Sequence, residues 1–246
     1  MHYFLPDIRL PQELEPQASI EDKFGGLPWG LPPELWPMCR NCGKSQSLLA
    51  QFVHAPPRLD LGRPGRALFV FQCNHDPGMC LTWEGGSGAN ACFVLEPEHL
   101  TDSQTQRPAD GPLVENEVRV ARWLERDDGL PESARIAFYD DDSFRVLPKE
   151  ARRRVTSGTK LGSVPSWIQS PSDSPAGWTF IGQLDSTHSF QVPPKYEVGW
   201  VRVDESRWEG RTHWGEGPNY GDGGIAYLFL RAAATVPEGW FFWQCG

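Results

Sequence analysis

The chain has no run of about 18 consecutive apolar residues, so nothing in it reads as a membrane-spanning helix. Its opening, MHYFLPDIRLPQELEPQ, lacks the basic start and apolar centre of a secretory leader, and a cytoplasmic location is expected. Lysine is scarce, 5 against 18 arginines, and acids outnumber bases to leave a formal net charge of -9. That balance works against a nucleic-acid footprint and suits a basic partner. The arginine bias reads only as a sign of a GC-rich bacterial source. What the chain has in excess is Gly (25) and Pro (23) within 246 residues, more breakers than helix interiors can absorb. With 39% hydrophobic and 22% charged residues it can pack a core, so wholesale disorder is excluded and turn-rich β structure is favoured.

Residues 1–22 carry three prolines and scattered acids and read as an extended arm. The folded body is expected from Lys23, with strands at SLLAQFV and RALFVFQC joined by a Pro-rich turn. VENEVRVARWLERDD reads as a short helix or an edge strand. Residues 101–115 are polar and break-rich, a loop. Three blocks recur in order: KFGGLPW with KLGSVPSW, LLAQF with FIGQL, and GRALFVF with GIAYLFL. The expected architecture is therefore α+β, predominantly β, with duplicated antiparallel-sheet halves related by a pseudo-twofold. Residues 23–157 would form the first repeat and 158–246 the second, the two sharing one core.

Six cysteines in a reducing compartment point to metal or burial, not to a disulfide framework. Cys39 and Cys42, followed by Gly43, have the spacing at which two thiolates on one tight turn share a tetrahedral ion. Cys73 ends the strand ALFVFQ and Cys80 follows across the NHDPGM loop, so Cys39, Cys42, Cys73 and Cys80 form a candidate structural zinc site. His75 is a possible substitute ligand. The alternative is a set of reduced cysteines buried around the strands. Cys92 reads as a core residue and Cys245 as a terminal thiol.

KFGGLPW, WPMCRNCG, LAQF, LFVFQC, CLTWEGGSGANACFVLEP, FIGQLDS and YGDGGIAYLFL together resemble the bacterial YwqG-like family of proteins with a domain of unknown function. The same order of motifs is similar to eukaryotic programmed cell death protein 2. The resemblance spans about Lys23 to Phe242 and implies a duplicated, sheet-rich fold and a binding role, as toxin-neutralising immunity protein or as chaperone. The second half has no C-x-x-C, so any metal that the resemblance implies belongs to the first.

Other constellations are weaker. Asp185, Ser186 and His188 have the residue types of a triad but share one short segment without a nucleophile elbow, and read as a polar turn. The glycine clusters at 85–88 and 221–224 match no phosphate-binding pattern and read as hairpin turns. Arg152–Arg154, with Lys149 and Lys160, read as a solvated connection, as do Asp140–Asp142. Eleven tryptophans serve mainly the core. The loop-like segment with Trp200, Arg207, Trp208, Arg211 and Trp214 is the candidate partner-binding surface. The expected function is a non-enzymatic protein-interaction module with one structural zinc and a protein partner, without nucleic acid or membrane; the alternative is an enzyme acting on a small molecule between the two repeats.

Overall fold

The computed structural model describes residues 1–75, 79–171, 176–191, 212–221, 223–233 and 235–246. Ten strands close into one antiparallel barrel: β1 (His2–Arg9), β6 (Val118–Asp127), β2 (Lys23–Phe24), β3 (Ser47–Val53), β4 (Ala67–Gln72), β5 (Asn90–Leu95), β12 (Glu238–Gln244), β11 (Ile225–Arg231), β8 (Thr179–Asp185) and β7 (Lys160–Gly162), the last returning to β1. β9 (Thr187–Gln191) and β10 (Thr212–Glu216) form a separate two-stranded ribbon. Helix among the described residues is short: α1 (Asp141–Val146), α2 (Lys149–Arg154) and a few 3₁₀ turns, the longest Glu132–Phe138.

This corrects the expected α+β fold of duplicated halves. Among the described residues the architecture is essentially all-β, and strands from both expected halves lie in one closed barrel. Two seams join them. Tyr3 of β1 lies opposite Arg126 on one side and Gly162 on the other, and Phe93 of β5 lies opposite Glu238 of β12. Closure pairs strands of the barrel that would otherwise be sheet edges, which an open half-sheet would have to cover or charge. The segment 1–22 thus supplies a barrel strand, and VRVARWLERD is the long strand β6.

The apolar runs have no polar alternation because both faces of each strand are covered. On β4, Leu68 and Val70 point into the barrel core with Phe24, Phe52, Leu228 and Phe241. Phe69 and Phe71 point outward and are covered by Leu31 and Trp36 of the connection between β2 and β3. β11 repeats the device: Ala226 and Leu228 face inward, while Tyr227 and Phe229 meet an outer layer with Trp167, Trp178 and Trp240. Each such fully buried aromatic contributes about 1.5–3 kcal/mol by removal from water.

Two buried glutamines fasten the outer loops to the wall. Gln51 Oε1 accepts from the Trp29 amide at 2.8 Å, and its Nε2 donates to the Glu21 carbonyl at 2.9 Å. Gln183 Oε1 accepts from the Ser166 amide at 2.9 Å, and its Nε2 donates to the Ser157 carbonyl at 2.9 Å. Both side chains are fully buried, so each makes bonds that water cannot replace.

Candidate metal centre

The first two cysteines sit on a knuckle. The Cys39 amide donates to the Lys44 carbonyl and the Gly43 amide to the Cys39 carbonyl, each at 2.8 Å, closing a turn whose last residue has φ +70°. Glycine takes that left-handed conformation without strain. β4 then delivers Cys73, whose amide donates to the Ala89 carbonyl at 2.8 Å. The loop that follows brings Cys80 back. It is tied down by the Thr82 amide to the Cys80 carbonyl at 2.7 Å, Ser87 Oγ to the Leu81 carbonyl at 2.7 Å, and Asn90 Nδ2 to the Thr82 carbonyl at 3.0 Å. The Arg40 amide donates to the Gly88 carbonyl at 2.9 Å, joining knuckle and loop.

All four sulfurs converge. They lie within 4.8 Å of one another, with Cys42 Sγ and Cys73 Sγ 3.6 Å apart. A tetrahedron with metal–sulfur bonds of about 2.3 Å has sulfur–sulfur edges of about 3.8 Å, so the cluster has the dimensions of a tetrathiolate metal site. Cys39, Cys73 and Cys80 are buried and Cys42 is half-buried. His75 is exposed and is not part of the group; its backbone amide donates to the Cys73 sulfur.

Electrostatics divide the thiols. Burial pushes Cys73 up to about 11, assisted by Cys42 and Cys39, and pushes Cys80 well above the usual thiol range. Cys39 is also penalised by burial, but the amides of Cys42 and Asn41 and the neighbouring thiols hold it below the ordinary value. Amides aimed at sulfur stabilise one thiolate; a cation is needed to hold four in this volume. The donor set therefore fits a metal ion, and with four protein sulfurs it leaves no vacant tetrahedral position.

The loop around Cys80 also displays apolar surface. Met79 and Leu81 flank it at 73% and 37% exposure, Trp83 follows at 40%, and Met38 beside Cys39 is 54% exposed. Trp83 forms one wall of a cavity of about 610 Å³ with Trp240, Phe242 and Trp243. Sequence reasoning passed over these residues, although a methionine beside each of two ligand cysteines was visible.

Of the other candidates, Trp200, Arg207, Trp208 and Arg211 lie outside the described residues. Trp214 is in β10 opposite Ser189, but its side chain also lies outside them. Asp185 accepts from the Thr187 amide at 2.8 Å and hydroxyl at 2.7 Å, while His188 is buried against Phe24 with ring centroids 5.4 Å apart. These are turn and core roles. Cys92 is buried on β5, where desolvation pushes its thiol up to about 12. Cys245 is half-buried.

No family model matches the chain, and no curated protein is significantly similar to it.

Proposed function

We propose that this is a non-enzymatic protein-interaction module, of the toxin-neutralising or chaperone-like kind that the YwqG-like resemblance implies, in which Cys39, Cys42, Cys73 and Cys80 hold one structural zinc ion in a reducing cytoplasm. The observation that carries the reading is the coincidence of a closed four-sulfur cluster with exposed Met38, Met79, Leu81 and Trp83 on the segments that the cluster fixes. Closed tetrathiolate sites staple structure and leave no position for a reacting molecule. Exposed methionine and tryptophan are costly in water and useful at adaptable binding surfaces.

The zinc supplies cross-linking when bound. It would fasten the Cys80 loop, with its apolar side chains, to the end of β4. The formal charge of -9 favours a basic partner at the rim of that surface, and the segment with Trp200, Arg207, Trp208, Arg211 and Trp214 is the second candidate contact.

The test is photo-crosslinking from position 81 in cell extract of the source organism, with and without a zinc chelator. The expected result is one basic polypeptide captured by the zinc-loaded protein and lost both on chelation and in a Met79→Ser, Trp83→Ala variant. Capture that is unchanged by both treatments would contradict the reading.

A further inference from the structure

Nine of the fifteen arginines among the described residues are committed to carboxylates. Arg9, Arg58, Arg63, Arg66, Arg119 and Arg122 each pair with a carboxylate, and so do Arg135, Arg145 and Arg231. Three of the cations without such a partner are grouped on α2. Lys149, Arg152 and Arg153 have no ion pair among the described residues, although the chain nearby is rich in acids. Of those acids, Asp141 pairs with Arg145 at 2.5 Å and Asp140 Oδ2 accepts from the Ser143 amide at 2.8 Å, while Glu150, in the first turn of α2, makes no ion pair among the described residues.

Helix electrostatics do not explain the cluster. A C-terminal turn favours Arg152 and Arg153, but Lys149 occupies the first turn, where the backbone dipole disfavours a cation. Like charges three and four residues apart on a helix also repel, by a few tenths of a kcal/mol per pair. The three cations instead share a cavity of about 440 Å³.

The rest of that cavity's lining is largely aromatic: Phe138, Phe144 and Trp167, with Ser166 and Gln169 as polar neighbours. Trp167 Nε1 donates to the Phe138 carbonyl at 2.6 Å, and its ring lies 4.5 Å from Tyr227 and is stacked 6.1 Å from Phe242. The Ser166 amide is held by Gln183 and its carbonyl by the Tyr227 hydroxyl at 2.9 Å. Arg152 already rests over the Phe144 ring at 5.5 Å, so charge and π-face are adjacent.

An aromatic lining beside three cations without ion pairs suits a ligand with a planar unsaturated part and two or more negative charges. The volume lies in the range of roughly 300–1,000 Å³ typical of small-molecule sites. We propose that the cavity between α2 and the Pro165–Gln169 segment binds a nucleoside phosphate, with the phosphates on Lys149, Arg152 and Arg153 and the base against Trp167. Guanidinium groups suit phosphate oxygens through paired N–H donors. The site is separate from the cysteine cluster and does not depend on the partner proposed above.

Calorimetric titration of the full chain with ADP, adenosine and inorganic pyrophosphate tests it. ADP should bind at least tenfold more tightly than either fragment, and its affinity should fall with added salt. An Arg152→Gln, Arg153→Gln variant should lose at least tenfold in affinity at an unchanged melting temperature, whereas Arg152→Lys, Arg153→Lys should retain most of it. Absence of saturable ADP binding, equal binding of pyrophosphate, equal binding of adenosine, or an unaffected glutamine variant would each overturn the proposal.

Discussion

Cys42 and Cys73 stand 31 residues apart in the chain and 3.6 Å apart at sulfur. The contact joins a loop outside the barrel wall to the end of β4, and Cys80 then returns to the same point. If a metal ion fills this cluster, removing one ligand costs both the metal and the loop geometry. Cys73→Ser is expected to abolish metal retention and to lower stability by about 3 kcal/mol or more, read by urea denaturation. Chelator should destabilise the wild type by a similar amount and leave the variant unmoved.

His188 is 5% exposed, and burial lowers its pKa to about 4 from an ordinary 6.5. Between those values the unfolded chain takes up a proton that the native protein refuses, so stability is lost as pH falls through that window. The full effect is about 3 kcal/mol. Half-buried Asp185 and Glu115, whose pKa values desolvation raises, shift the background in the opposite sense. The informative quantity is therefore the difference between wild type and His188→Phe in denaturation at pH 6.5 and 4.5, which should shrink or reverse in favour of the variant at the lower pH.

Gln51 is expected to behave as a fastener, not as a packing residue. Gln51→Leu keeps the volume but leaves the Trp29 amide and Glu21 carbonyl without their partner. A loss of about 2–4 kcal/mol in chemical denaturation is expected. A change within experimental error would show that these loops do not depend on the bond.

Gly85 faces the Trp240 ring so closely that a β-carbon built there would lie 2.0 Å from it. Gly85→Ala should cost about 1–3 kcal/mol through overpacking and disturb the Trp83–Trp240 cavity, visible as altered tryptophan fluorescence. Gly223→Ala meets nothing within 4 Å and pays only for its positive φ, so it is the control.

The strands were legible because their apolar runs are long and bounded by turn residues: Ser47–Val53, Ala67–Gln72 and Ile225–Arg231 follow the runs marked in the sequence. The closure was not. It depends on Tyr3 serving both β6 and β7 and on the seam between Phe93 and Glu238, pairings between residues far apart that leave no local pattern. The cysteine cluster was legible through C-x-x-C and a strand-terminal cysteine, whereas His75, chosen for its ligand chemistry, is exposed and only its amide faces the Cys73 sulfur. The α2 cations read as a solvated run and Lys149 and Arg153 are exposed, while the aromatic residues that share their cavity come from two other segments of the chain.

The most direct test of the central claim is the metal content of protein purified without chelator, measured by mass spectrometry on the wild type and on Cys42→Ser, with native thiols titrated in parallel. The account predicts one zinc ion per wild-type chain, none in the variant, and Cys39, Cys42, Cys73 and Cys80 protected from thiol reagent until chelator is added. A metal-free wild-type protein, whose four thiols behave the same before and after chelation, would contradict it.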